Sequence, residues 1–141
     1  MPLVHLSIGS NKGDRLGYID RAVALISFLA GTVTAVSEPV ESEPWGFEST
    51  NRFINVGINI DTPLTPLQLL DTLQSIERTI SSDPHRNPDG TYRDRSVDID
   101  IILYRGVSID TPRLTIPHPN AAQRQFVMQP LQAIWPYNID L

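Results

Sequence analysis

In the stretch RDRSVDIDIILY, Arg93 to Tyr104, two carboxylates, Asp98 and Asp100, interrupt an apolar run. Side chains alternate faces along a strand, so the pair shares one face while Val97, Ile99 and Ile101 take the other. Same-face neighbours lie about 6–7 Å apart, twice the rise per residue, so both carboxylates can lean toward one divalent cation or two adjacent ones. Without a cation, two like charges at about 6 Å repel by ~1 kcal/mol in water and ~3 kcal/mol at an effective dielectric of 20. The spacing alone leaves two readings open. Either the pair ligates metal, or both aspartates face solvent on a half-wet sheet, which strand propensities spanning about 1 kcal/mol tolerate. The chain has no cysteine and no histidine cluster, so hard oxygen donors point to Mg2+ or Mn2+ rather than zinc. Arg93 and Arg95 precede the pair, and Arg113, His118 and Arg124 follow it. Carboxylates flanked by guanidinium forks suit a metal-bound phosphate substrate. For each arginine taken singly, a surface salt bridge is the competing reading.

The elements that must position these groups are legible from pattern. Leu3–Gly9 reads as a strand. Leu16, Ile19, Val23, Ile26 and Leu29 recur at helical spacing behind Asp14 as N-cap, and Gly31 ends that helix. The run from Thr32 to Pro44 is β-branched and extended, with Pro39 marking an edge strand or a bulge. Phe53–Asp61 alternates apolar with polar or small residues, as a half-buried strand does. Thr65, Pro66 and Gln68 form a capping box with proline at the first helical position, ahead of a buried stripe of Leu69, Leu70, Leu73, Ile76 and Ile80. Residues 81–95 read as a long polar loop, SVDIDIILY as a strand and GVSIDT as a short one. The stretch PHPNAAQRQFVMQPLQAIW begins with a turn and becomes helical. The order β-α-β-β-α-β, with extra elements after it, predicts an α+β sandwich of helices on a mainly antiparallel sheet.

The 141 residues fit a single domain over 1–141. A net charge of −5 without a Lys/Arg run argues against nucleic acid or an anionic membrane as partner. The stretch AVALISFLAG is too short to span a bilayer, and the first residues lack the pattern of a signal peptide. A soluble, cytoplasmic, monomeric protein acting on small molecules is expected.

Five segments, in order and over nearly the whole chain, carry a resemblance: SIGSNKGD, FINVGINI, IER at the end of the second helix, RDRSVDIDIILY, and LTIPHPNAAQRQFVMQPLQAIWP. The chain resembles the 6-hydroxymethyl-7,8-dihydropterin pyrophosphokinase family of folate biosynthesis. The resemblance implies a ferredoxin-like fold. It also implies transfer of pyrophosphate from ATP to the pterin's hydroxymethyl oxygen, with release of AMP. Asp98 and Asp100 would hold two Mg2+ ions that bridge the ATP phosphates, and Arg95 would join them in catalysis. Glu77, Tyr92, Arg95, Arg113, Thr115, His118 and Arg124 would contact ATP. Ser42 and Asn55 would bind the pterin's amide edge, Phe53 and Phe126 would sandwich its ring, and Trp45 would lie beside it. Ser10 and Asn11 would shape the strand–helix turn beneath the site.

The chain departs from the family pattern in places. Where a mobile loop rich in arginine usually follows IER, it reads TISSDPHRNPDGTY, with Ser82 at one expected arginine and Arg86 and Arg93 as candidates for that role. SEPWG stands where many members have Thr-Pro-Pro, which adds the acid Glu43; Tyr92 replaces a tryptophan; and the chain ends at Leu141 where many members continue. Two other functions compete with the first. One is a ferredoxin-like binding module that kept the pterin pocket without catalysis. The other is a different metal-dependent phosphotransferase, which would leave Phe53, Asn55 and Phe126 unexplained.

Overall fold

The computed structural model describes residues 1–43, 52–81 and 96–141. The expectations for Trp45, Tyr92, Arg95, Arg86, Arg93 and the 82–95 part of the loop fall outside these residues. The elements are β1 (Leu3–Ser10), α1 (Arg15–Leu29), β2 (Thr32–Val36), β3 (Val40–Ser42), β4 (Phe53–Asp61), α2 (Pro66–Ile80), β5 (Asp98–Tyr104), β6 (Ile109–Asp110), β7 (Thr115–Ile116), a 3-10 turn (Ala121–Gln123) and α3 (Gln125–Ile134). The main sheet is antiparallel in the order β2-β4-β1-β5, with β3 also paired to β4. Apart from the division of its second strand, this is the ferredoxin-like arrangement, an α+β fold as the element order predicted.

Local chemistry sets the helix starts. Asp14 Oδ1 accepts the Gly17 N–H at 3.1 Å. Thr65 Oγ1 accepts from Gln68 N at 3.3 Å while Gln68 Oε1 accepts from Thr65 N at 3.0 Å, which completes the capping box. The buried stripe of α1 is Ile19, Ala22 and Ile26; Leu16 and Leu29, expected on it, lie at the two ends of the helix and are each 49% exposed. In α2, Leu69, Leu73, Ile76 and Ile80 are buried and Leu70 is partly so.

The extended run after α1 divides into two strands around Pro39, which has no N–H for a ladder. Of GVSIDT, only Ile109 and Asp110 form a strand, in a separate hairpin with β7.

The sheet has two unlike faces. On one, Val4, Leu6, Ile8, Ile54, Val56, Ile58, Ile60, Ile99 and Ile101 pack against α1 and α2. Each fully buried aliphatic side chain there contributes about 1.5–3 kcal/mol. The register places the pairs His5–Asn59, Ser7–Gly57 and Gly9–Asn55 on the opposite face, with Asp98 and Asp100 beside Gly9 and Ser7. Part of that second face is covered by α3, whose Val127, Leu131 and following Trp135 cluster with Ile102, Leu103 and Ala121. Hence β4 is buried on both sides from Ile54 to Ile60, rather than half-buried as its alternation suggested.

A register shift between His5 and Leu6 makes β5 bulge at Ile102. Before it, Asp98 and Asp100 face away from the α1/α2 core. After it, Leu103 sits with His5 on the α3 side, and Tyr104 turns into the α1/α2 core, where its hydroxyl donates to the Leu64 carbonyl at 2.6 Å.

Candidate active site

Asp98 and Asp100 are partly buried on the sheet face opposite α1 and α2, as the strand pattern predicted. β5 is the last strand of the main sheet, and among the described residues no strand pairs with its outer edge. Glu77 from α2 fills this gap: its Oε2 accepts the Ile99 N–H at 2.8 Å. Glu77 is 9% exposed. Burial, then the charge of Asp98, pushes its carboxyl up to about 8; the Ile99 hydrogen bond opposes this, and Asp100 and a hydrogen bond with Asp98 add to it. A neutral carboxyl serves both neighbours, accepting from Ile99 and donating to Asp98.

On the far side of the site, Asn55 Nδ2 donates to the Val40 carbonyl at 3.0 Å and to Ser42 Oγ at 2.8 Å. Val40 offers only an acceptor there, which fixes the amide orientation. Both amide donors are thus used within the protein. What remains for a ligand is Asn55 Oδ1 as acceptor and the Ser42 O–H as donor. Phe53 lies opposite Ser42 at the head of β4. Phe126, partly buried on the first turn of α3, has the Arg124 guanidinium 5.8 Å from its ring centroid.

His118 is held by its backbone, whose N–H donates to the Ile102 carbonyl at 3.0 Å. Its Nδ1 accepts from Asn120 N at 3.2 Å, so the neutral ring carries its proton on Nε2. Burial first, then Arg124, lowers its pKa, with Asp98 acting in the opposite sense. Arg113 is ion-paired with Asp71 of α2. Thr115 pairs with Asp110 in the small hairpin. Glu43, the added acid, pairs with Arg52 at 3.0 Å, which offsets its charge. Ser10 and Asn11 are buried at the end of β1.

A second polar group on this face was not singled out from sequence. His5 is fully buried, with Nδ1 2.8 Å from Asn59 Oδ1, and Asn59 Nδ2 donates to the Ile134 carbonyl at 2.8 Å. Because Asn59 uses its amide toward Ile134, its Oδ1 must accept from His5, and the His5 proton sits on Nδ1. The arrangement ties β1 and β4 to the end of α3. Gly57 makes room for it: a Cβ there would fall 2.7 Å from His5 Cε1 and 2.7 Å from Pro130 Cβ. The signal available in the sequence was a histidine and an asparagine on alternating positions of two strands; the third partner, a backbone carbonyl of α3, had none.

One face of the ferredoxin-like sheet thus carries an acidic pair on one strand and a polar amide two strands away, a layout whose chemistry suits a small-molecule phosphotransferase. Residues 5–136 match the family model described as 7,8-dihydro-6-hydroxymethylpterin-pyrophosphokinase. The chain belongs to this family. A Porphyromonas gingivalis protein named 2-amino-4-hydroxy-6-hydroxymethyldihydropteridine pyrophosphokinase is 38% identical over 138 residues, which is 97% of this chain and 93% of that one. A Bacillus subtilis protein of the same name is 38% identical, over 94% of this chain and 77% of its own. Among solved structures, wild-type Plasmodium falciparum HPPK-DHPS superposes with a TM-score of 0.74 at 14% identity, covering 99% of this chain and 41% of that one. At that identity the likeness speaks for the fold.

Proposed function

We propose that this chain transfers the pyrophosphoryl group of ATP to the hydroxymethyl oxygen of 6-hydroxymethyl-7,8-dihydropterin in folate biosynthesis. The observation that carries the reading beyond family membership is the shared sheet face, with Asn55 and Ser42 at one side and Asp98 and Asp100 at the other. The substrate oxygen attacks the β-phosphorus, the bond between the α-phosphate and that phosphorus breaks, AMP leaves and the hydroxyl proton is released.

Mg2+ fits the donor set: two carboxylate oxygens on one face, with hard ligands only. The push that Asp98 and Asp100 exert on Glu77 marks a local excess of negative charge that a divalent cation would relieve. Among the described residues no group of three or more His, Cys, Asp or Glu is arranged to hold a metal; phosphate and water oxygens are hard donors that would suit the same ion. When bound, two Mg2+ ions held by Asp98 and Asp100 would offset the triphosphate charge and orient the β-phosphate.

The chain's own groups do the rest. His118 presents Nε2–H as a neutral donor to phosphate oxygen, and Arg124 adds a guanidinium fork. Arg113 exchanges its exposed partner Asp71 for nucleotide, since such pairs hold by only about 0–1 kcal/mol. Phe53 and Phe126 stack the pterin, with Trp45 beside them. Thr115, Tyr92 and Arg95 complete the nucleotide contacts, and Glu77 supports Asp98 from behind. No helix among the described residues is long and apolar enough to cross a membrane.

Incubation with ATP, Mg2+ and the hydroxymethyl-dihydropterin tests the proposal: AMP and the pterin diphosphate are expected. ADP in place of AMP would point to an ordinary kinase. Tight pterin binding without turnover would point to a binding module.

A further inference from the structure

The register places three residues in a row across the second face: Asn55, Gly9 and Asp98. Adjacent strands lie about 4.8 Å apart, so Asn55 and Asp98 are separated by roughly 10 Å with a residue lacking a side chain between them. Gly9 is nevertheless buried. What covers it is the pair of groups assigned to the pterin. A Cβ at Gly9 would fall 3.1 Å from Asn55 Oδ1, 3.3 Å from Phe53 Cδ1 and 3.7 Å from Phe53 Cε1. The Phe53 ring and the free acceptor of Asn55 therefore both rest on bare backbone. No left-handed conformation is involved; the position needs glycine for space alone.

We infer that Gly9 is a positioning residue that sets the depth at which Phe53 and Asn55 meet a flat bicyclic ligand, and so the ligand's distance from Asp98. This rests on the function proposed above. A methyl group at Gly9 lies within a separation that forces each neighbour to give by a few tenths of an ångström. Asn55 resists, because Val40 and Ser42 hold its amide. Phe53 is then the group that rises, and it rises into the ligand's slot. The nucleotide side, built from β5, α2 and the residues around His118, has no contact with that methyl among its three nearest atoms.

Steady-state kinetics of Gly9→Ala, Phe53→Leu and the double variant test this, with AMP as the readout. For Gly9→Ala, KM for the pterin should rise at least tenfold while KM for ATP stays within twofold. In the Phe53→Leu background, adding Gly9→Ala should change the pterin KM less than twofold, because the shorter side chain leaves room for the methyl. Equal losses for pterin and ATP, or the same tenfold penalty in both backgrounds, would overturn the inference. Should Gly9→Ala not fold, NMR of the wild-type protein decides. Gly9 Hα should show contacts to the Phe53 ring that persist when pterin is added with Mg2+ and a non-hydrolysable ATP analogue; their absence overturns the inference. A wild-type protein that makes no pterin-dependent AMP instead overturns the proposed function, independently of any variant.

Discussion

Acidification should expose the cost of charging His5. Its Nδ1 already donates to Asn59, so a second proton must go on Nε2, a buried atom with no hydrogen-bond partner among the described residues. Burial accordingly lowers its pKa from 6.5 to about 4, against the smaller upward influence of Asn59. In the unfolded chain the ring takes up its proton near 6.5; in the native protein it does so only near 4. Between those values the unfolded chain binds more protons at this ring, so the His5 contribution to stability falls as the pH drops, by about 1.4 kcal/mol per pH unit. The whole interval amounts to about 3 kcal/mol, a large share of the roughly 5–15 kcal/mol typical of a domain. The assay is urea unfolding followed by tryptophan fluorescence, on the wild-type protein and on His5→Gln, across this interval. Trp135 packs edge-on against His5 with ring centroids 6.4 Å apart, so emission reports on this region. Subtracting the variant removes the other titrating groups, and the difference should steepen below 6.5 and flatten near 4. Parallel curves, or an NMR titration placing His5 near its ordinary value, would refute the reasoning.

Asp98→Ala and Asp100→Ala should each abolish AMP formation while pterin still binds its aromatic slot; calorimetry and the AMP assay check both halves, and undiminished turnover would remove the metal assignment. Glu77→Gln keeps one acceptor for Ile99 and one donor for Asp98, so turnover should stay within about threefold, whereas Glu77→Leu strands a buried N–H and should cost about 1–3 kcal/mol in urea unfolding. Without divalent cation, the stability of the wild-type protein relative to Glu77→Gln should fall as pH rises from 4.5 through about 8, because the native state holds a proton on Glu77 that the unfolded chain has released; urea unfolding of both proteins across that range reads the difference, and parallel curves would refute it. Arg113→Ala should change stability by less than about 1 kcal/mol, since its partner Asp71 is exposed, while KM for ATP rises severalfold.

What sequence revealed and what it hid follow from how local each cause is. The capping box of α2 and the shared face of Asp98 and Asp100 depend on neighbours a few residues away, and both were legible. So was the β-α-β-β-α-β order, because each element carries its own period. The depth of β4 was not: Asn55 and Asn59 look like wet-face residues until α3, far along the chain, covers half that face. Glu77 was placed among the ATP contacts by the resemblance; that it also closes the edge of β5 is a relation set by the sheet order. His5 carried no motif, and its significance depends on Asn59 and on the carbonyl of Ile134. Arg113 was placed among the nucleotide contacts from motif alone, and the ion pair it makes with Asp71 crosses between elements 42 residues apart.

The bulge at Ile102 gives β5 two independent phases. Upstream, the alternation aims carboxylates; downstream, it anchors apolar side chains under α3 and, through Tyr104, beside α2. A strand of uniform phase would couple these tasks, so that repacking one end would rotate the other. With the slack taken up at one residue, the anchoring half can vary in length or bulk without turning the aspartates away from their target. The chemistry is thereby insulated from change in its own scaffold.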